Sequence, residues 1–340
     1  MSSLLQCVPT YHHHHGSTKS SRPILTAPNA ERLGLLARLS DSVDLWGRLR
    51  WLIGPRAADQ IYSPVMVQQP KNAELRAHAG NIVRSEVNKN ADYDLEEWIL
   101  ERIELEPGQV VLDLGCGAGK QVRRFADVVG DGGRVVGADI FTKVEGLKVA
   151  AERYIGSRHN VELLDHDASQ PFTLEGGTFD VVTSCYSIYY FEDLEAVLAE
   201  ARRLLRVGGR FFAVGPAWDN SKEFYDLHVE ISGKPIPGSF FAHLMRINDQ
   251  LVPLAYRMFP HVRVSPFVNR VYFRGSDGVQ AASNYYRNNL ILHETTDDEK
   301  EKERLVAEFT GRVQTAVDRD GEYYMVKRAL GLVCFTDRAT

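Results

Sequence analysis

The chain has 340 residues, of which 44% are hydrophobic, and can bury the core of one large domain or two small ones. Its 40 basic and 45 acidic residues leave a formal charge of -5 without a basic stripe, which argues against nucleic acid and favours a small substrate. Four scattered cysteines indicate neither a zinc site nor a disulfide framework and fit a reducing, cytoplasmic setting. We expect neither a membrane span nor a signal peptide.

The first 92 residues are predicted to precede the main domain. Residues 1–28 are rich in Ser, Thr, Pro and His and predict a flexible tail, whose four histidines fit a tag fragment or polar tract better than a metal site. Residues 29–92 predict a helical N-terminal extension, in which residues 30–53 carry apolar side chains at steps of three or four. This stripe can pack on the main domain, form an active-site lid or join a homodimer, and a membrane surface is the less favoured alternative.

From residue 93 the chain alternates between predicted helices and strands. Repeated βα units with short connections predict an α/β fold, a Rossmann-like, doubly wound and mostly parallel sheet with helices on both faces. Ligands bind such sheets at the carboxyl ends of the strands. The strands are predicted at 109–114, 134–138, 161–164, 179–183 and 210–214, and the helices at 93–105, 120–129, 143–154 and 194–205.

The alternation stops beyond Gly215. Residues 216–260 carry aromatic, polar and proline residues through one or two predicted helices, and we expect them to form a helical cap within a main domain of residues 93–340. Two later β segments are predicted to pair as an antiparallel edge hairpin. They are predicted at 262–273 and 323–335, with helices near 278–292 and 297–317 between them.

The most informative segment reads Val-Val-Leu-Asp-Leu-Gly-Cys-Gly-Ala-Gly over residues 110–119, a strand that leads into a loop with glycine at every second position. Such a loop lets the main chain approach a bound molecule closely. The spacing differs from the G-x-G-x-x-G of dinucleotide sites, since Lys120 stands where their third glycine would be. Because the carboxylate of Asp113 suits a cationic amino-acid moiety better than a pyrophosphate, the motif favours S-adenosylmethionine over NAD.

Further motifs follow the next strands at the same edge. Asp139 ends strand two in Val-Val-Gly-Ala-Asp-Ile, and Asp167 follows strand three in Leu-Leu-Asp-His-Asp-Ala. Phe-Asp-Val-Val-Thr-Ser forms strand four, and Leu-Leu-Arg-Val-Gly-Gly-Arg precedes strand five with Val207 in place of a usual proline. With the glycine loop, these motifs make residues 93–215 resemble the class I S-adenosylmethionine-dependent methyltransferases of the small-molecule type.

The resemblance implies which residues bind S-adenosyl-L-methionine. Asp113 and the glycine-loop backbone would hold the methionine part, Asp139 would bind the ribose hydroxyls, and Asp167 would bind the adenine amino group. Alone, either of the last two aspartates can equally cap a helix, but their coincidence at successive strand ends favours a cofactor site. The expected cofactor contacts are Asp113, Gly115, Cys116, Gly117, Gly119, Gln121, Asp139, Ile140, Asp167, Ala168 and Ser184.

Aromatic residues are the candidates for the acceptor side of the site. Tyr186 and Tyr190 follow strand four and are predicted substrate contacts, as are Tyr225 and Tyr285 later in the chain. Tyr189 is a candidate catalytic residue, although it and Tyr190 stand where related enzymes often carry histidine. For Tyr186, Tyr189 and Tyr190, packing with the hydroxyl bonded to backbone is at least as favoured as contact with the substrate.

A general base is optional in such a reaction, because the methyl group is already activated and alignment and exclusion of water are the main requirements. His228 and His243 of the predicted cap are candidate bases, since imidazole titrates near neutral pH and aromatic residues flank both. An isolated helical histidine is more commonly a surface or hydrogen-bonded structural residue.

The sequence therefore predicts a cytoplasmic enzyme that methylates a small molecule at oxygen, nitrogen or carbon, in secondary or sugar-linked metabolism, without a metal, nucleic acid or membrane. Strand four ends in Ser-Cys-Tyr-Ser rather than the Asp/Asn-Pro-Pro-aromatic pattern of nucleic-acid amino methylation, and Cys185 is read as a small buried residue. The alternatives are an NAD(P)-dependent oxidoreductase and a cofactor-binding partner subunit without catalytic activity.

Overall fold

The computed structural model describes residues 87, 91–238, 240 and 245–337. Within these ranges, none of the helices has the length and apolar character needed to cross a bilayer. The predicted tail, most of the predicted extension and His243 lie outside the described residues.

Seven strands of the described chain form one mixed sheet in the order β3-β2-β1-β4-β5-β7-β6. β1 to β5 are parallel, and β7 runs antiparallel to both β5 and β6. The direction of strand progression reverses at β1, which pairs with β2 on one side and β4 on the other, and ligands bind open α/β sheets at such a point. The strands are β1 Val110–Leu114, β2 Arg134–Asp139, β3 Val161–Asp165, β4 Phe179–Cys185, β5 Leu205–Pro216, β6 His261–Phe273 and β7 Tyr323–Phe335.

Helices cover both faces of this sheet and bury a separate hydrophobic core on each. One core involves α4 and α6, and the other involves α1, α2 and α3, so the predicted α/β fold with helices on both faces is confirmed. The helices are α1 Leu95–Ile103, α2 Lys120–Val129, α3 Leu147–Ile155, α4 Leu194–Leu204, α5 Lys222–Ser232, α6 Val252–Met258, α7 Gly275–Arg287, α8 Leu290–Thr295 and α9 Glu299–Asp320, with a 3₁₀ turn at Ile188–Tyr190 and a π turn at Ile247–Leu251.

Two predicted helices differ from the structure by more than an end shift of one to three residues. The helix predicted at 143–154 begins at Leu147, because Gly146 adopts a left-handed conformation with φ of 75° and interrupts the turn before it. The helix predicted at 278–292 is divided into α7 and α8. Asn289 lies between them, and its side chain accepts a hydrogen bond from the Ile291 amide, which starts the second helix.

The two antiparallel strands extend beyond the rest of the sheet. β5 ends at Pro216 opposite Ala329, whereas β6 and β7 continue as a two-stranded ribbon to the pair Phe273 and Tyr323. The predicted antiparallel edge pair is confirmed, but α7, α8 and α9 connect its strands, so it is not a hairpin with a short turn.

Helices that precede and follow β6 in the chain share a third hydrophobic core, which we name the cap cluster. It joins α5, which follows β5, to α7, α8 and α9, which lie between β6 and β7. This core therefore reaches beyond residues 216–260, where the cap is predicted. Its larger side chains include Phe224, Tyr225, Phe240, Phe273, Tyr285, Tyr286, Phe309 and Met325.

The segment before α1 runs along the outer edge of β6. Ala91 forms an antiparallel bridge with Val271, and the Asp92 amide donates to the carbonyl of Arg270. The side-chain amide of the buried Asn269 bonds both the N–H and the carbonyl of Tyr93. These bonds fix the path by which the chain enters α1.

Candidate active site

The glycine loop after β1 combines a packed side and an open side. Gly115 has φ of 70°, and a Cβ there would lie 2.5 Å from the Cβ of Ser187, so no larger residue fits without displacement. Gly117 has φ of 55°, but a Cβ there would meet no atom of the described chain within 4 Å. Gly119 packs on Ile155 and precedes α2, where Gln121 is half-buried. The open side at Gly117 is where a ligand can approach the backbone.

Asp139 connects the end of β2 to this loop. Its Oδ2 accepts a 2.7 Å hydrogen bond from the Gly117 amide, and its Oδ1 accepts a 2.8 Å bond from the Ile140 amide. Burial raises the pKa of the Asp139 carboxyl, and the two amide bonds oppose that shift. Because each carboxylate oxygen can accept more than one hydrogen bond, Asp139 keeps acceptor capacity for a ligand hydroxyl.

Asp113 lies deeper, at the carboxyl end of β1, and is only 2% exposed. The hydroxyl of Thr183 on β4 donates a 2.7 Å hydrogen bond to its Oδ1. Burial raises the pKa of Asp113 to about 7, although the Thr183 bond acts in the opposite direction. Thr183 is absent from the predicted site, because a threonine inside a strand carries no sequence signal of its own.

Two cysteines lie near the loop, the buried Cys116 and the half-buried Cys185, which is less buried than the sequence predicts. Cys116 is buried in the loop and packs against the backbone at Gly137, and Cys185 lies at the end of β4. Burial and the neighbouring carboxylate of Asp113 raise the pKa of both thiols well above the ordinary value, so neither is a ready nucleophile.

Asp167 follows β3 and is held by local bonds. Its carboxylate accepts from the amide of Ser169 at 3.0 Å and forms an ion pair with Lys143 at 3.2 Å. Partial burial raises the pKa of Asp167, but these bonds outweigh it and place the pKa below the ordinary value. The adjacent Ala168 is buried, so the predicted adenine-side residues form an ordered turn with a charged carboxylate.

Two serines fasten the turn after β4 beneath the glycine loop. The Ser187 hydroxyl donates to the carbonyl of Leu114 at 2.6 Å, and its oxygen lies 2.7 Å from that of Ser184. Ser184 is a predicted cofactor contact, and the structure places its hydroxyl within this buried group. Ser187 was missed, because its importance comes from its position under Gly115, which only the fold reveals.

The three tyrosines after β4 occupy different environments. Tyr186 has a left-handed backbone with φ of 57°, a strained conformation for a tyrosine, and is half-buried at the end of the sheet. Tyr189 is buried with its ring against Gly215, and the ring centroid of Tyr190 lies 4.6 Å from that of Tyr189. Tyr186 and Tyr190 therefore keep surface at the predicted acceptor side, whereas Tyr189 packs inside.

Arg246, which sequence reasoning missed, holds this turn from outside. Its guanidinium donates to the carbonyls of Tyr189 and Glu192, each at 3.1 Å, and the adjoining Ile247 begins the π turn and packs against Gly215. Single π turns occur often at functional sites. The contact links a segment more than 50 residues later in the chain to the turn after β4.

His228 is fully buried in the cap, and both of its ring nitrogens are bonded. Nδ1 lies 2.6 Å from the Tyr286 hydroxyl, and Nε2 lies 2.9 Å from Thr295 Oγ1. Because Thr295 donates its own proton to the carbonyl of Ile291, Nε2 carries the imidazole proton, and the Tyr286 hydroxyl donates to Nδ1. Burial lowers the pKa of His228 to about 4. This geometry argues against the predicted base role, since neither nitrogen is available to an acceptor.

The other two residues predicted on the cap side lie in the cap cluster. Tyr225 is buried with its ring edge against Phe240, at 5.1 Å between centroids. Tyr285 is 7% exposed, and its hydroxyl accepts a hydrogen bond from Lys327. Of the predicted acceptor-side residues, the structure therefore places two at the sheet edge and two within the cap.

The sequence of this chain is similar to those of known methyltransferases. Residues 112–213 match the family model described as "Methyltransferase domain". The chain is 40% identical over 120 residues to nocamycin O-methyltransferase of Saccharothrix syringae, covering 35% of this chain and 41% of that protein. It is 38% identical over 146 residues to a ubiquinone/menaquinone biosynthesis C-methyltransferase of Enterobacter sp. (strain 638), covering 42% and 54%. The chain thus spans about half or less of these relatives.

A solved structure from Anabaena variabilis, described as a methyltransferase from an antibiotic biosynthesis pathway, aligns with a TM-score of 0.50 at 16% identity. The alignment covers 70% of this chain and 95% of that one. At this identity the likeness shows the shared fold.

Proposed function

We propose that this chain, which carries a class I S-adenosylmethionine-dependent methyltransferase domain, transfers a methyl group from S-adenosylmethionine to a small-molecule acceptor. The observation that carries the proposal is the junction at the sheet edge between the open backbone of Gly117 and the carboxylate of Asp139. This junction lies within the segment that matches the methyltransferase domain.

The residues present fit that cofactor. The buried carboxylate of Asp113 suits a cationic amino-acid group, and Asp139 retains acceptor capacity for a pair of ribose hydroxyls. Gly117 leaves room for close approach to the loop. When bound, S-adenosylmethionine would supply a methyl group activated by its sulfonium for transfer to the acceptor's nucleophilic atom.

The chain's own contribution to this reaction is positioning and exclusion of water. Tyr186 and Tyr190 are half-buried at the carboxyl end of β4 and are our candidates for contact with the acceptor. Tyr189 packs beneath them and is proposed to fix their turn rather than to move a proton. His228 does not enter the mechanism, because its ring belongs to the cap's internal hydrogen bonds.

The acceptor is proposed to be a small organic molecule of secondary metabolism. Both reported curated relatives are named for small-molecule products, one methylated at oxygen and the other at carbon. We place the enzyme in the cytoplasm, and a homodimer formed through residues 30–53 stays a prediction.

Titration calorimetry of the full chain tests the proposal. We expect S-adenosylmethionine and S-adenosylhomocysteine to bind and NADH not to bind. Asp139→Asn is expected to weaken cofactor binding about tenfold, which corresponds to loss of about one charge-assisted hydrogen bond. Asp131→Asn, at a fully exposed loop carboxylate, is the matched control. Binding of NADH in place of the sulfonium cofactor would refute the proposal.

A further inference from the structure

A half-buried lysine lies on the ribbon between the cap cluster and the sheet. Lys327 of β7 is directly opposite Asn269 of β6. Alternate side chains of a strand share one face. Met325, two residues before, packs in the cap cluster, and Ala329, two residues after, packs in the core that contains Trp98 and Phe267. Lys327 therefore brings a charge to the seam where these two apolar cores meet.

The seam lies at the ligand-binding edge of the sheet. Ala329 is opposite Pro216, the last residue of β5, so Lys327 projects from β7 about 7 Å beyond that end. The face is also the one on which Cys185 and Tyr186 at the end of β4, and Ile140 after β2, pack against the core. Lys327 thus stands on the cap side of the edge where the acceptor is proposed to bind.

The charge of Lys327 is not neutralised by the part of the chain that the structure describes. Its ammonium donates to the hydroxyl of Tyr285 and lies 4.3 Å from the centroid of that ring. No described carboxylate forms an ion pair with it. The neighbouring Arg328, on the opposite face of β7, contacts both Asp219 and Glu223 at 3.4 Å. A half-buried ammonium has lost part of its hydration, which an anionic partner can replace.

We propose that Lys327, oriented by Tyr285, binds a negatively charged oxygen on the methyl acceptor, either a carboxylate or an ionised hydroxyl. The ammonium has three N–H donors, so the bond to Tyr285 leaves donors for such an oxygen. The buried ring of Tyr285 meets Phe224 edge-on at 5.4 Å, which holds the hydroxyl in place. This inference rests on the proposed function and adds the charge class of the substrate.

The test compares matched acids and amides on the full chain. Hydroxybenzoic acids and the corresponding hydroxybenzamides are titrated into protein saturated with S-adenosylhomocysteine. We expect the acids to bind at least tenfold more tightly than the amides. Such a difference in affinity corresponds to the free energy of one hydrogen bond to a charged group. Lys327→Gln is expected to abolish this ratio without changing the affinity for S-adenosylhomocysteine. Tyr285→Phe, which keeps the ring, is expected to reduce the ratio less.

Two further variants keep the result interpretable. Lys327→Met retains an apolar stem across the seam and serves where Lys327→Gln fails to fold, and Lys300→Gln at an exposed position of α9 is expected to leave the ratio unchanged. Equal binding of acids and amides, absence of binding by the acids at millimolar concentration, or an acid preference that survives loss of Lys327 would each overturn the proposal. Failure of the protein to bind S-adenosylhomocysteine would instead refute the proposed function at the first step.

Discussion

The carboxylate of Asp139 and the amide of Gly117 are joined by a 2.7 Å hydrogen bond, although 22 residues separate them in the chain. The bond ties the end of β2 to the loop that follows β1. The loop after β1 and the end of β2 therefore hold each other in position within the proposed cofactor site. Substitutions at different glycines of the loop can distinguish positions that serve packing from those that serve cofactor binding.

Alanine substitutions at two glycines of that loop are expected to differ in their effects. Gly115→Ala places a methyl group against Ser187 and is expected to destabilise the fold by about 2 kcal/mol or more, because steric overlap adds to the cost of a positive φ. Gly117→Ala meets no described atom and is expected to cost about 1 kcal/mol while it weakens cofactor binding. Denaturant unfolding and calorimetry distinguish the two. Equal losses of stability would contradict this division of roles.

Cofactor affinity is expected to rise as the pH increases through about 7. The pKa of Asp113 is about 7, so its carboxylate becomes charged in that range and attracts a cationic ligand more strongly. Asp113→Asn should bind the cofactor weakly and without this inflection. Thr183→Val removes the hydrogen bond that favours the charged form and should move the inflection to higher pH. An unchanged profile in both variants would show that another group titrates.

His228 is expected to make the free energy of unfolding decrease at acidic pH. Its pKa falls from 6.5 in the unfolded chain to about 4 in the fold, so the folded state binds fewer protons between these values. Stability contributed by neutral His228 is complete above about pH 6.5 and decreases as the pH falls towards 4, by up to about 3 kcal/mol. Urea unfolding at several pH values measures this slope, and His228→Gln should flatten it at the expense of stability at neutral pH. If His228→Gln kept the same dependence of stability on pH, another titratable group would be responsible for it.

Arg246 is expected to affect turnover more than cofactor binding. Arg246→Ala removes the bonds to the carbonyls of Tyr189 and Glu192 and frees the turn that presents Tyr186 and Tyr190. We expect kcat to fall several-fold to tenfold with little change in the cofactor Kd, since loss of alignment acts mainly on the reacting geometry. Arg257→Ala, which breaks an exposed pair with Glu195, is the control. If Arg246→Ala and Arg257→Ala lowered kcat equally, the positioning role of Arg246 would be refuted.

The parallel part of the fold could be predicted because each of its elements has a local cause. The helix at Lys120–Val129 has the predicted bounds, because the left-handed Gly119 precedes it and Gly130 ends it. The sequence predicts Asp139 as a site residue for the same reason, since it stands directly at a strand end. The break at Asn288 and the late start at Leu147 depend on backbone angles that hydrophobic periodicity does not report.

The parts that escaped prediction arise from contacts distant in sequence. Thr183 matters because β4 lies beside β1, and Ser187 because the next turn passes under Gly115. No sequence pattern distinguishes Lys327 from the other residues of β7, and its position between two hydrophobic cores follows only from the fold. The cap cluster likewise joins helices on either side of β6, an arrangement that no single stretch of sequence encodes.

The short segment that leads into α1 covers part of the outer edge of the sheet. β6 is the last strand of the sheet, and its backbone would offer unpaired hydrogen-bonding groups to any strand that meets it. Ala91, Asp92 and Tyr93 occupy that edge beside Asn269 to Val271. The lead-in therefore protects the chain against edge-to-edge aggregation, and removing it would expose a strand that also carries the outward-facing Val268.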